Sequence, residues 1–159
     1  MSDIETLRRI LACSRVVAVV GLSAEWHRPS FFAAKYMKEH GYRIVPINPK
    51  YETILGETCF PSLQSLSQSL AAEIDIVDCF RRTTDILPIA QDAVAIGARV
   101  LWQQIGVVNL EADDLVRRQG LDSVMDRCVK IEHARLFGGL NWAGVNTGIV
   151  SAKRPRHLA

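Results

Sequence analysis

The chain has 159 residues, of which 48% are hydrophobic and 23% charged, with 19 basic residues against 17 acidic ones. This length suits one domain with its own core, and the ordinary apolar fraction excludes a disordered chain. The net charge of +2 is too small for a strongly basic nucleic-acid binder. No apolar run approaches the about 18–20 residues that cross a bilayer, and the acidic N-terminus is unlike a secretory signal. We therefore expect a single-domain cytoplasmic protein with neither nucleic acid nor membrane as a partner.

The four cysteines, Cys13, Cys59, Cys79 and Cys128, are far apart and form no C-x-x-C pair. Without an export signal we expect reduced thiols. Zinc sites need closely spaced Cys and His pairs, which this sequence lacks, so no metal is expected. Because nothing in the spacing places a base beside Cys128, we expect a structural thiol there and no catalytic residue.

Strands and helices alternate along the chain. Short runs rich in Val and Ile predict strands covered on both faces, at residues 16–20, 43–47, 74–80, 99–103 and 121–125. Helical spacing of apolar residues predicts helices at residues 4–13, 30–40, 84–96 and 110–119, with a weaker pattern at 61–70. The last three of these four helices end at Gly41, Gly97 and Gly120, as helices commonly do.

This alternation predicts an α/β fold of the Rossmann-like, doubly wound kind. We expect a five-stranded, mainly parallel sheet of order 3-2-1-4-5 with helices on both faces. The domain is predicted to span residues 1–136, and a glycine-rich, basic tail is predicted at 137–159.

The loop after the first strand has the residues of a phosphate cradle. Gly21 permits a tight turn, Ser23 and Ser30 offer hydroxyls, and Arg28 offers a planar cation suited to phosphate. Pro29 fits the first position of a helix whose free N–H groups would face the same loop. The alternative is an ordinary turn with a surface arginine. The loop has only the first glycine of the G-x-G-x-x-G dinucleotide pattern.

The end of the second strand distinguishes between nucleotides. A site for NAD carries Asp or Glu there to bind the ribose hydroxyls, whereas this chain has Asn48-Pro49-Lys50. Lys50 favours an additional phosphate that a carboxylate would repel. These residues indicate a nucleotide with a phosphorylated ribose, either coenzyme A or NADP.

Several segments at these strand ends resemble the small stand-alone CoA-binding domain proteins. The matching segments are V-G-L-S at 20–23, R-P-S at 28–30, G-Y at 41–42, V-P-I-N-P-K at 45–50, I-L-G at 54–56, I-D-I-V-D at 74–78 with F-R at 80–81, G-A-R-V-L-W-Q-Q-I-G at 97–106 and V-M-D-R-C at 124–128. The same organisation occurs in the CoA-binding domain of the succinyl-CoA synthetase α-subunit and of NDP-forming acyl-CoA synthetases. The resemblance covers about residues 14–135.

The resemblance implies coenzyme A or an acyl-CoA as ligand, and it implies a role for each matching residue. The phosphates would be held by Gly21, Ser23, Arg28 and Ser30, and the adenosine 3′-phosphate side would be lined by Asn48, Pro49 and Lys50. The pocket would be closed by Phe80 and Arg81. Its fourth edge would be shaped by Trp102 and Gln103. The chain departs from the family at 24–27, where Ala-Glu-Trp-His replaces a shorter turn. Trp26 and His27 would stack on the adenine or cap the loop.

No catalytic activity follows from the resemblance, because the large synthetases carry further domains for which 159 residues leave no room. We expect a non-catalytic CoA carrier or sensor, or a partner of a CoA-using enzyme, with self-association also open. One alternative is an NADP-dependent oxidoreductase. Such an enzyme would need a proton donor facing the nicotinamide, such as a Tyr–Lys pair at helical spacing. The only candidates, Lys35 and Tyr36, are adjacent, which weakens this alternative. The other alternative is an interaction module with a vestigial nucleotide pocket.

Overall fold

Each run rich in Val and Ile forms one strand of a single sheet in the computed structural model, which describes residues 2–138. The strands are β1 (Val16–Val20), β2 (Arg43–Ile47), β5 (Ile76–Cys79), β6 (Val100–Gln103) and β7 (Asp122–Val124). Neighbouring strands pair in parallel, and most of their residues are buried on both faces. Two further strands that the sequence analysis did not predict, β3 (Thr53–Ile54) and β4 (Glu57–Thr58), form a small antiparallel hairpin.

The predicted helices lie within a few residues of their expected bounds. They are α1 (Ile4–Cys13), α2 (Pro29–Glu39), α4 (Ile86–Ile96) and α5 (Leu110–Arg118). The weak pattern at 61–70 corresponds to a 3-10 turn (Leu63–Ser65) followed by α3 (Gln68–Glu73), and a second 3-10 turn (Thr83–Asp85) precedes α4. A last helix, α6 (Val129–Leu136), was not predicted.

Helices cover both faces of the sheet, which confirms the α/β Rossmann-like fold. One core cluster contains side chains of α1, α2 and α6, such as Leu7, Met37 and Val129. The other contains side chains of α4 and α5, such as Ala90 and Val116. The sheet therefore separates two apolar layers, as a parallel sheet requires.

The predicted strand order 3-2-1-4-5 is wrong, because the observed order is β2-β1-β5-β6-β7, or 2-1-3-4-5 counted over the five long strands. Pro46 explains the difference. It has no N–H, so β2 lacks one hydrogen-bond donor and suits the edge of the sheet. At that edge Phe60 N donates to Pro46 O over 3.0 Å and Asn48 N donates to Phe60 O over 2.9 Å. The third strand pairs with β1 instead.

The predicted tail at 137–159 lies outside the described residues from position 139 onward. Within residues 2–138, no helix is long and apolar enough to span a membrane. All four cysteines are free thiols: Cys13 is exposed, Cys59 and Cys79 are buried, and Cys128 is partly exposed.

Candidate functional site

The chain changes direction across the sheet between β1 and β5. From β1 it passes through α2 to β2 on one side, whereas β5, β6 and β7 follow one another on the other side. Helix α2, which follows β1, packs on one face, whereas α4 and α5, which follow β5 and β6, pack on the other. Loops diverge at such a switch point and leave a crevice at the carboxyl ends of the strands, where α/β proteins bind ligands.

Gly21 forms the centre of this crevice. Its φ is +84°, and a Cβ atom there would lie 2.4 Å from Phe80 O and 2.9 Å from Arg81 Cδ. Gly21 N donates to Ile47 O over 2.8 Å, and Phe80 N donates to Val20 O over 2.9 Å. The ends of β1, β2 and β5 therefore meet at a residue that must be glycine, both for its conformation and for the space it leaves.

The loop from Gly21 to α2 is held by its own hydroxyl groups. Ser23 N donates to Ser30 Oγ over 3.1 Å, and Glu25 N donates to Ser23 Oγ over 3.0 Å. Ser30 is buried, whereas Arg28 is exposed at the N-cap of α2 and donates from Nε to Glu25 Oε2 over 2.9 Å. The four residues predicted to form a phosphate cradle thus lie on one ordered turn and helix start.

Asn48 joins the second strand end to the first. Its Nδ2 donates to Leu22 O over 2.9 Å, and its Oδ1 accepts from Lys50 N over 2.9 Å. Tyr51 OH lies 3.5 Å from Ser23 Oγ. Asn48 therefore positions the turn that carries Pro49 and the exposed Lys50 against the loop after β1.

A cleft of about 360 Å³ opens at this place. Four of the predicted site residues line it: Gly21, Asn48, Pro49 and Arg81. Five other predicted site residues lie on the adjoining loops and strand end and not in the lining: Ser23, Arg28, Ser30, Lys50 and Phe80. The cleft thus brings together residues from three strand ends.

Trp102 and Gln103 lie elsewhere. Both side chains are fully buried at the end of β6. Trp102 Nε1 donates to Arg127 O over 2.8 Å, while Gln103 Oε1 accepts from Asn109 N over 2.7 Å. These side chains hold the loops that follow β6 and β7, and they lie beneath the edge of the sheet and not in the cleft.

The sequence analysis missed the wall of the cleft opposite β1 and β2. This wall comprises Pro61, Ser62, Leu63, Thr84, Asp85, Pro88, Ile89 and Asp92. A signal was present for five of these eight residues, because a helix was predicted over residues 84–96. In an α/β fold the first turn of the helix after a strand faces the carboxyl edge, so the polar residues Thr84 and Asp85 were candidates.

Both arginines near the crevice are paired with carboxylates. Arg28 contacts Glu25, and Arg81 Nη2 lies 3.3 Å from Asp85 Oδ2. The hydrogen bond from Arg28, together with its charge, lowers the pKa of Glu25. An anionic ligand that binds either arginine must therefore compete with the carboxylate of Glu25 or Asp85.

A buried carboxyl lies in β5, two residues before Phe80. Asp78 is 1% exposed in β5, paired in register with Val19 and Trp102, and its Oδ1 accepts from Gln104 Nε2. Burial raises the pKa of Asp78 to about 7, against the opposite effect of the Gln104 hydrogen bond. A carboxyl in such an apolar setting keeps its proton at pH values well above the pKa of an exposed carboxyl.

A second cavity, of about 320 Å³, lies near the amino ends of β1 and β2 and is lined by Arg15, His40, Tyr42, His133 and Phe137 among others. Burial and the neighbouring His40 lower the pKa of His133. Within residues 2–138 no three His, Cys, Asp or Glu side chains cluster as a metal site. The carboxyl-edge cleft is the candidate site because it lies at the switch point.

Comparison with known proteins identifies sequences related to this chain. The sequence model of a family described as CoA binding domain matches residues 15–134. The uncharacterized protein YneT of Bacillus subtilis is 37% identical over 128 residues, which cover 80% of this chain and 92% of that protein.

Solved structures with the same architecture include a hypothetical protein from Pyrococcus horikoshii, with 36% identity and a TM-score of 0.80 over 86% of this chain and 94% of the other. The protein ID.343 from Thermus thermophilus has 30% identity and a TM-score of 0.78, covering 86% of this chain and all of that one (100%). The dinucleotide-forming acetyl-coenzyme A synthetase 1 of Ca. Korarchaeum cryptofilum shares the fold at 19% identity, with a TM-score of 0.58 over 77% of this chain and 27% of the synthetase chain.

Proposed function

Because this chain belongs to the CoA-binding domain family, we propose that it binds coenzyme A or an acyl-CoA at the carboxyl edge of its sheet and acts as a carrier or sensor, not as a catalyst. The observation that carries the proposal is the convergence of Gly21, Asn48 and Arg81, from three strand ends, on one cleft at the switch point. Ligand recognition is then the whole mechanism.

The diphosphate of the ligand is proposed to lie over the loop after β1. Gly21 allows the backbone to approach closely, Ser23 and Ser30 offer hydroxyl protons, and the N-terminus of α2 favours negative charge. Arg28 would bind a phosphate with its planar guanidinium after leaving Glu25. The proposed cradle thus combines the Arg28 guanidinium, which changes its partner, with serine hydroxyls and backbone N–H groups that stay in place.

The adenosine end is proposed to occupy the cleft. Apolar surface for the adenine ring is supplied by Pro49, Pro61, Leu63 and Ile89. Asp85 can accept a hydrogen bond from a donor group of the adenosine. Arg81, which lines the cleft, and Lys50, on the adjoining turn, suit the 3′-phosphate. A cleft of about 360 Å³ holds only part of coenzyme A, so the pantetheine arm would extend along the edge of the sheet.

Ligand-dependent stabilisation tests the proposal. Coenzyme A at 100 times its Kd is expected to stabilise the folded chain by about 2.7 kcal/mol, which raises Tm by roughly 5–10 °C for a domain of this size. Acetyl-CoA, NADP and NAD are measured in parallel, and mass spectrometry of gently purified protein would detect a retained ligand. Stabilisation by NADP alone would favour an oxidoreductase, and stabilisation by none would favour a vestigial pocket.

Arg28→Ala is expected to weaken coenzyme A binding about 10- to 100-fold, as loss of a hydrogen bond to a charged group does. Titration calorimetry measures this change directly. Arg118→Ala is the matched control, since Arg118 is an exposed arginine paired with Asp114 on α5. Equal effects of the two substitutions would contradict a phosphate contact at Arg28.

A further inference from the structure

Glu25 lies where the predicted phosphate cradle would hold an anion. Its Oε2 atom is 2.9 Å from Arg28 Nε and 3.9 Å from His27 Nε2. The hydrogen bond from Arg28 contributes most to lowering the pKa of Glu25, and the charges of His27 and Lys50 add to it. Three basic side chains from two loops thus act on one carboxylate.

The loop holds Glu25 in this position. Glu25 N donates to Ser23 Oγ over 3.0 Å, and Arg28 N donates to Glu25 O over 3.0 Å. The residue is therefore part of a turn closed by its own backbone, and the Glu25–Arg28 pair forms across that turn. Its side chain is about half exposed (51%), so the carboxylate can rotate into solvent without unfolding the loop.

We propose that Glu25 is a built-in competitor for the phosphate of the ligand, with its carboxylate occupying the anion position of Arg28 until a more highly charged group displaces it. The inference rests on the proposed function, because it takes the Arg28 loop as the phosphate site. A small anion such as inorganic phosphate brings a single group and gains little over the resident carboxylate, whereas a diphosphate brings two linked charged groups and more acceptor oxygens to the same cations.

The competition has two consequences for binding. Affinity for coenzyme A is lower than the cradle alone would provide, because the Glu25–Arg28 contact must break and the freed carboxylate remains close to the phosphate. The contact also keeps the exposed Arg28 from binding small anions such as inorganic phosphate. Glu25 thereby makes the site selective for ligands with several phosphates.

Glu25→Gln is the direct test, with coenzyme A binding measured by titration calorimetry on the full chain. The variant is expected to bind about three- to tenfold more tightly than the wild type, since an exposed ion pair and a nearby like charge each change affinity a few-fold. Glu39→Gln is the matched control, because Glu39 is equally exposed on α2, 4.0 Å from Lys35, and its substitution changes the net charge by the same amount. It is expected to leave the Kd within about twofold.

A double-mutant cycle with Arg28→Ala separates competition from general charge. Competition predicts that Glu25→Gln gains clearly less in the Arg28→Ala background than in the wild type, because only the repulsion between Glu25 and the phosphate is then removed. It also predicts that inorganic phosphate inhibits binding more strongly in Glu25→Gln than in the wild type. An equal gain in both backgrounds, or a gain no larger than that of Glu39→Gln, would overturn the competitor role while wild-type binding still supported the proposed function. Absence of coenzyme A binding in the wild type and in Glu25→Gln would overturn both.

Discussion

Replacing Asp78 by asparagine is expected to stabilise the folded protein by about 3–4 kcal/mol at pH 8 and by about 1–2 kcal/mol at pH 5. The reason is the pKa of this buried carboxyl, which burial raises from 3.8 to about 7. Asparagine is close in size and can still accept the hydrogen bond of Gln104, but it has no charge to bury.

The pH dependence follows from the protons bound in each state. Below about pH 4 Asp78 is protonated both folded and unfolded, so its ionisation costs nothing. Between about pH 4 and 7 the unfolded chain loses this proton while the folded one keeps it, so the wild type loses stability as the pH rises. Above about pH 7 both states are ionised and the loss stays constant.

Urea denaturation of both proteins at pH 5 and pH 8 measures this difference. Asp114→Asn is the control, because Asp114 is an exposed carboxylate on α5. A gain from Asp78→Asn that is the same at both pH values would show that Asp78 is ionised in the folded protein at pH 5, contrary to its burial.

Gly21→Ala is expected to destabilise the protein by about 2–4 kcal/mol, with two separate causes. The left-handed conformation of Gly21, with φ at +84°, is unfavourable for alanine. The added Cβ would also lie 2.4 Å from Phe80 O, which belongs to the backbone and can move only with the end of β5. The displacement would shift Arg81, so coenzyme A binding is expected to weaken as well.

Gly97→Ala separates the two causes. Gly97 has a similar φ of +77° at the end of α4, but an added Cβ there would meet no atom within 4 Å. Its alanine variant is expected to lose only the conformational part, about 1–2 kcal/mol. Comparable losses for the two variants in urea denaturation would contradict the close approach of the β1 and β5 ends.

The local pattern of the sequence predicted the strands and most helices correctly, because a strand covered on both faces and an amphipathic helix each have their own residue period. Helix α6 was missed because it buries Glu132 and His133 besides Val129 and Leu136. Arg127 and Arg135 pair with Glu132 and make its burial possible. A helix whose inner face carries polar side chains has no apolar period to detect.

The strand order was predicted from the commonest arrangement, although Pro46 already indicated an edge strand. Placing β2 at the edge puts β5 beside β1 and brings Phe80 and Arg81 to Gly21. This pairing creates the crevice from residues that are about 60 positions apart in the chain. No local pattern contains that information.

The sequence by itself determined the alternation of strands and helices, the glycine and serines after β1, and the Asn-Pro-Lys turn after β2, because these depend on residue type and short-range spacing. Only the tertiary structure decided that Trp102 and Gln103 are buried beneath the edge, that residues 61–63 line the cleft, and that Glu25 neutralises Arg28. Those features depend on which loops cover a strand end and which charges meet in space. Such contacts are set by the packing of distant segments, and residue type alone does not specify them.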